Sequence, residues 1–429
     1  MDHFVRHGGE LFAEDVSLTA IAEQFGTPTY VYSRATLERH ARVLFEALEG
    51  VPHLVCYAVK ANGNLAVLET LAQTGCGLDA VSVGELARAL KVGVDPLRII
   101  VSGVGKRADE IEAALKAGVL YVSIESTAEL ETVGMVAARL GVTARVSVRV
   151  NPEVDAVTHP YISTGLRENK FGVPYGEALA LYERGMGMVS VSMVGVTCHI
   201  GSQITTVGPF VDAAGKVAEL ARTLLARKVP LAYVGIGGGL GIPYAAADNP
   251  PSPAEYGAAL AKTLKPLGLT VVLEPGRVIV GNAGVLVTRV IRVKEGADRR
   301  FVIVDAGMND LIRPALYKAQ HTIEKVVEGG DAATVTIVGP VCESSDTFAK
   351  DVTLPKVVEG DLLVFRSAGA YGFVMSSNYN ARPRAAEVLV TGANPVLVRE
   401  RESLADLWRG ERSPTGRAYD EHLPKGFAQ

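Results

Sequence analysis

The 429 residues carry 43 Lys and Arg against 47 Asp and Glu, a formal net charge of −4, with 48% hydrophobic and 21% charged side chains. This is ordinary globular composition, long enough for two domains or for one large domain with additions. The slightly acidic balance offers no basic footprint for nucleic acid or an anionic membrane, which leaves small polar molecules as the expected partners.

Cys56, Cys76, Cys198 and Cys342 are scattered with no C-x-x-C pair, so they signal neither a disulfide framework nor a metal site and read as reduced thiols. The first residues, Met1 to Arg6, bring charge early and contain no continuous apolar h-region. No run reaches the ~18 apolar residues a membrane span requires. A cytoplasmic protein is the expectation.

A short helical pattern, Leu18 to Gln24, follows Ser17 and is closed by Gly26 and Pro28. Ser33 then caps a helix to about Leu48, and a rhythm begins. Strand-like runs fall at Leu54 to Val59, Leu78 to Val81, Ile99 to Val101, Tyr121 to Ile124, Val146 to Val150, Val194 to His199, Tyr233 to Ile236 and Val271 to Leu273. Helical patterns separate them: Leu65 to Gln73, Val83 to Lys91, Ala108 to Ala117, Thr127 to Leu140, Tyr175 to Arg184, Phe210 to Arg227 and Pro253 to Leu264. This alternation predicts an α/β fold, a parallel (β/α)8 barrel over residues 29–275.

After Pro275 the sequence becomes strand-rich, with runs at Val285 to Val293, Phe301 to Val304, Val335 to Val338, Leu362 to Phe365, Val388 to Val390 and Val396 to Val398. Residues 276–429 are expected to form a mostly antiparallel β domain that the N-terminal segment, 1–28, joins.

Chemistry in such a barrel gathers at the C-terminal ends of the strands. Lys60 ends the first run, Asp79 and Ser82 flank the second, Arg149 lies on the fifth, His199 ends the sixth, Gly237-Gly238-Gly239 the seventh and Glu274 the eighth. Taken alone, Lys60 reads as a strand end whose ammonium snorkels to solvent. At a buried strand tip, desolvation would instead favour the neutral amine a Schiff base needs. His199 alone reads as a satisfied core residue, and Glu274 as a turn carboxylate paired with Arg277. The glycines satisfy neither G-x-G-x-x-G nor a P-loop, and stand as either a tight turn or an anion cradle of bare N–H groups.

Jointly, Tyr57-Ala58-Val59-Lys60-Ala61-Asn62, His199-Ile200-Gly201-Ser202-Gln203, Gly237 to Gly241 and Glu274-Pro275-Gly276-Arg277 resemble the alanine racemase-like group of pyridoxal phosphate enzymes. Further stretches look like its diaminopimelate decarboxylases. These are His159 to Gly165, Asn169 to Gly172, Asp305 to Met308, Arg313-Pro314-Ala315-Leu316-Tyr317 and Cys342-Glu343-Ser344-Ser345-Asp346. The resemblance runs in order from about residue 27 to about 400.

It implies decarboxylation of meso-diaminopimelate to L-lysine, the last step of lysine biosynthesis, with pyridoxal 5′-phosphate as cofactor. Lys60 would form the Schiff base, His199 would stack on the ring, and Glu274 would keep the ring nitrogen protonated. Gly237, Gly238, Gly239, Ser202 and Tyr371 would hold the phosphate, with Asp79, Arg149 and Gly276 completing the cofactor-binding set. Cys342 would enter from a second subunit of a homodimer as proton donor, and Glu343 and Tyr371 would contact substrate.

Arg313, Tyr317 and Arg277 would grip the distal carboxylate, with Arg277 open between that role and the phosphate. Lys170 of one subunit is expected to pair with Asp346 of the other. Asn309, Asp310 and Asn380 receive no role, and residues 151–172 are undecided between a lid and a wall. A decarboxylase of ornithine, arginine or a carboxylated polyamine would share the cofactor residues but not the distal clamp. A non-catalytic relative is the alternative from another class.

Overall fold

The computed structural model describes residues 2–155, 170–245 and 247–419. The motif at His159 to Gly165, and most of the segment 151–172, lie outside the described residues. The chain divides into two compact units, one formed by 37–243 with 247–280 and the other by 1–36, 244–246 and 281–429.

The first unit is a closed parallel barrel of eight strands: β1 His53–Ala58, β2 Gly77–Ala80, β3 Ile99–Val101, β4 Tyr121–Ile124, β5 Ala144–Asn151, β6 Val191–Thr197, β7 Tyr233–Gly237 and β8 Thr270–Leu273. Each pairs in parallel with its neighbour, and β8 returns to β1 through Val271 to Leu273 against His53 to Val55. Cys56, Ile100, Tyr121, Val194 and Val272 fill the interior, and the Tyr121 and Tyr233 rings meet at 5.6 Å. The floor is therefore packed, which confines any ligand to the mouth.

Serine caps help to set the outer helices. Ser82 accepts from the Glu85 N–H ahead of Val83–Lys91, Ser126 from that of Glu129 ahead of Thr127–Leu140, and Ser252 forms a capping box with Glu255 ahead of Pro253–Leu264.

In the second unit Gly284–Glu295 is the central strand. It pairs antiparallel with Arg300–Val304, Leu362–Phe365 and Thr29–Ser33, and the last of these pairs in parallel with Ala386–Thr391. Arg300–Val304 also pairs in parallel with Ala332–Val338. The sheet is mixed but mostly antiparallel, as expected.

Thr29–Ser33 lies in this sheet rather than in the barrel, because its five residues are buried on both faces between two strands of the second unit. Barrel packing accordingly begins near residue 37 and ends near 280. The N-terminal segment also forms a three-stranded sheet, Phe4–His7, Glu10–Ala13 and Val16–Ser17. Phe4, Leu11 and Leu18 pack there with Val31, Val285 and Val364.

Candidate active site

β1 stops at Ala58, and Val59–Ala61 form one turn of 3₁₀ helix, so Lys60 is not the strand tip itself. The reason is local: the Ala58 N–H donates to the Pro275 carbonyl (2.9 Å), and the Tyr57 hydroxyl donates to the Asn62 carbonyl (3.0 Å). Val59 and Ala61 are buried while Lys60 is exposed, contrary to a fully desolvated amine. The backbone thus places the Lys60 side chain at a cavity of about 500 Å³ lined by Lys60, Ser102, Arg149, Phe171, His199 and Glu274.

His199 follows β6, and its Nδ1 accepts the N–H of Gly238 at 3.2 Å. The proton of the neutral ring is therefore on Nε2. Burial pushes its pKa well down, and the charges of Lys60 and Arg149 push it further. The three glycines are required by close approach of backbone. A Cβ at Gly237 would lie 2.6 Å from His199 Nδ1, at Gly238 2.2 Å from the Glu274 carbonyl oxygen, and at Gly239 2.3 Å from that of Gly201. Gly237 and Gly239 also hold positive φ, +70° and +109°. Of the cradle's N–H groups, that of Gly238 is committed to His199.

Glu274 closes β8, its N–H bonded to the Gly237 carbonyl (2.8 Å). Burial raises its pKa to about 8, with Asp79 raising it further and Lys60 and Arg149 opposing. Asp79 is buried; one oxygen accepts from Ser102 Oγ at 2.6 Å, and Oδ2 has no hydrogen-bond partner among the described residues. Arg149 pairs with Glu125 (3.0 Å) and lies over the Phe171 ring, 4.8 Å to its centroid. Arg277, almost fully buried, donates from Nη2 to Ser202 Oγ at 3.0 Å. Gly276, also buried, precedes the short helix Arg277–Val280.

Ser102 and Glu125 were not among the expected site residues, although they stand directly after β3 and β4. Reading those two strand ends as the other six were read identifies both.

In the second unit, Arg313 and Tyr317 bound a short helix, with Arg313 buried and Tyr317 half-buried. Tyr371 adopts φ +55°. Cys342 is exposed, and its N–H donates to Asn380 Oδ1 at 2.8 Å, which gives Asn380 a structural task. Glu343 is exposed beside it; hydrogen bonds from Ser345 and Tyr379 hold its carboxyl below the usual range. Asp310 accepts the Gly307 N–H (2.9 Å) and its carbonyl accepts the Tyr30 hydroxyl (2.6 Å), while the Asn309 carbonyl accepts the Ser377 N–H (2.9 Å).

Asp346, expected to pair with Lys170 of another subunit, also has a role within its own chain. Asp346 is buried, its Oδ1 accepting the Met308 N–H and its Oδ2 the Val341 N–H, each at 2.7 Å.

The barrel mouth therefore unites an amine, a neutral imidazole, a protonated carboxyl and an arginine–serine pair. Residues 34–281 match the family model described as the pyridoxal binding domain of pyridoxal-dependent decarboxylases, which fixes the class. The chain is 53% identical to a diaminopimelate decarboxylase of Pseudomonas aeruginosa, covering 96% of this chain and 99% of that one. It is also similar to the crystal structure of diaminopimelate decarboxylase from Helicobacter pylori complexed with L-lysine (44% identity, TM-score 0.89, 91% and 98% covered). The corresponding L-lysine complex from M. jannaschii aligns with a TM-score of 0.93 at 38% identity, covering 97% and 99%. The chain belongs to the diaminopimelate decarboxylase family.

Proposed function

We propose that the chain uses pyridoxal 5′-phosphate to decarboxylate meso-2,6-diaminopimelate to L-lysine and CO2, as a homodimer with shared active sites. The observation that carries this reading is the convergence of Lys60, His199 and Glu274 on one cavity. The donor set fits the cofactor: an amine for its aldehyde, a carboxyl that retains a proton for its ring nitrogen, and buried Asp79, one oxygen of which has no partner among the described residues, for a further polar atom. When bound, the cofactor supplies an electron sink for the carbanion left as CO2 departs.

Lys60 would hold the cofactor covalently through Nζ. Ser202, Arg277, Gly237, Gly239 and Tyr371 would hold its phosphate, with Asp79, Arg149 and Gly276 alongside; Gly238, expected among the phosphate residues, instead gives its N–H to His199. His199, kept neutral, offers a flat ring face without adding a third cation to Lys60 and Arg149. Glu274 holds its proton to about pH 8 and can share it with the ring nitrogen.

At the substrate's far end, Arg313 and Tyr317 would bind the distal carboxylate, with Arg277 a further candidate. Glu343, kept anionic by its hydrogen bonds, suits the distal ammonium. Cys342 of a second copy would pass its Sγ proton to the substrate's α-carbon, and its exposure within its own chain suits such a transfer. A thiol in this task needs a reducing compartment, which supports a cytoplasmic location; no described helix is long and apolar enough to cross a membrane.

Mixing subunits tests sharing and chemistry together. Lys60→Ala and Cys342→Ala should each be inactive alone. Reassorted in equal amounts, they should recover about a quarter of wild-type activity, because half of the dimers then contain one intact site. No recovery from a reassorted dimeric mixture would overturn the shared site.

A further inference from the structure

Arg313 owes its orientation to a histidine eight residues on. Its Nη1 lies 2.9 Å from His321 Nε2, and His321 Nδ1 lies 2.8 Å from the Arg366 carbonyl. An arginine only donates and a carbonyl only accepts, so Nε2 must be the unprotonated acceptor and Nδ1–H the donor. The imidazole is therefore a neutral spacer of fixed tautomer, bonded at one end to the guanidinium and at the other to backbone.

The backbone end is firm. Arg366 follows the strand Leu362–Phe365, which pairs with Ile323–Lys325, and its N–H donates to the Thr322 carbonyl (2.9 Å). Tyr244 supplies a second wall. Its ring meets His321 edge-on at 5.2 Å and lies 4.6 Å below the Arg313 guanidinium, while its carbonyl accepts from Thr322 Oγ1 (2.8 Å). Arg313 and His321 are both more than nine-tenths buried.

We propose that His321, with Tyr244, is a specificity-determining positioning residue: it fixes the Arg313 guanidinium so that a substrate bearing a carboxylate at its far end is selected. This rests on the reading that Arg313 binds the distal carboxylate. A guanidinium held from one side by a hydrogen bond and from below by a π-face is fixed in one plane, and that plane decides how a carboxylate can meet it bidentately. A lysine in place of Arg313 would lose that geometry, and protonation of His321 would set two cations against each other.

The test is steady-state kinetics of the holoenzyme with meso-diaminopimelate for His321→Ala, His321→Gln, Tyr244→Ala, Arg313→Ala and the double variant His321→Ala/Arg313→Ala. His321→Ala should raise KM about tenfold with kcat within about twofold. His321→Gln, whose amide can accept from Arg313 and donate to the Arg366 carbonyl, should recover most of the loss. In the Arg313→Ala background, His321→Ala should add little.

If His321→Ala loses its melting transition, Tyr244→Ala and His321→Gln decide: a KM rise of several-fold in the first with near-normal KM in the second supports the proposal, and any other pattern overturns it. An unchanged KM in folded His321→Ala while Arg313→Ala raises KM overturns the positioning role alone, as does an undiminished effect in the Arg313→Ala background. An unchanged KM in Arg313→Ala overturns the reading of Arg313 itself.

Discussion

The backbone N–H of Gly238 donates to Nδ1 of His199 across 3.2 Å, tying the turn after β7 to the ring after β6. The same glycine could not carry a side chain, since a Cβ would lie 2.2 Å from the Glu274 carbonyl oxygen, a backbone atom that moves only if the end of β8 moves. One residue thus fixes the spacing of two proposed catalytic groups.

Gly238→Ala should therefore harm both. The expected cost is about 1–3 kcal/mol of stability from overpacking, together with loss of cofactor retention as His199 and Glu274 separate. Thermal melting and the visible absorbance of the bound cofactor after gel filtration measure the two effects. A variant that melts and binds like wild type would show that the strand ends relax at little cost.

Glu274 and His199 give the apoprotein opposite pH dependences. The Glu274 carboxyl titrates near pH 8 when folded and near the ordinary 4.5 when unfolded, so between these values the folded state binds more protons and stability falls as pH rises. The His199 imidazole titrates below its ordinary 6.5 when folded, so the unfolded state binds more protons there and stability falls as pH drops below 6.5. Glu274→Gln should flatten the first slope and leave the second, which urea unfolding of apoprotein at pH 5.5, 7 and 8.5 resolves. An unaltered slope between 7 and 8.5 would assign it elsewhere.

The barrel was legible because its eight strands are short apolar runs separated by helical patterns, so that the period changes at the boundaries. Lys60, His199 and Glu274 were legible for the same reason, standing where apolar runs stop. What the sequence hid was long-range or bidirectional. Thr29–Ser33 has no periodicity that assigns it to a sheet whose central strand lies some 250 residues on. Asp346 reads from the sequence only as a candidate partner for Lys170 of another subunit, and only the fold brings the Met308 and Val341 N–H groups to its two oxygens. His321 similarly acquires meaning only from Arg313 and the Arg366 carbonyl on either side.

Asp346 should act on Cys342 through the loop. Asp346→Ala removes the acceptors of two backbone N–H groups and leaves space where the carboxylate crowds Gly339. The expected cost is about 1–3 kcal/mol per buried donor left unsatisfied, with the Cys342 segment losing its fixed position. Activity should then fall more than cofactor content, because the barrel's cofactor residues are untouched. Amide hydrogen exchange over 339–345 should rise in parallel. Unchanged exchange with lost activity would point instead to a direct role for the carboxylate.

Arg149 is held at the mouth by a partner the strand-end rule should have found. Glu125 accepts from Arg149 with one oxygen at 3.0 Å and from the Gly172 N–H with the other at 2.8 Å, joining the end of β4 to the segment after residue 170. Gly172 sits at φ +76°, where a Cβ would come within 2.9 Å of the Asn151 nitrogen, so that segment is closely seated on β5. Glu125→Gln keeps the shape but removes the compensating charge, leaving Arg149 an unbalanced cation near Lys60, His199 and Glu274. Because Arg149 already lowers the Glu274 pKa and Glu125 raises it, the variant should bring the Glu274 titration below about 8. It should also loosen Arg149, weakening cofactor affinity about tenfold, as outer partners of binding groups typically do. Isotope-edited carboxyl titration of apoprotein reads the first effect and equilibrium dialysis of pyridoxal phosphate the second. An unmoved titration with weakened cofactor binding would mean that Glu125 acts by orientation alone.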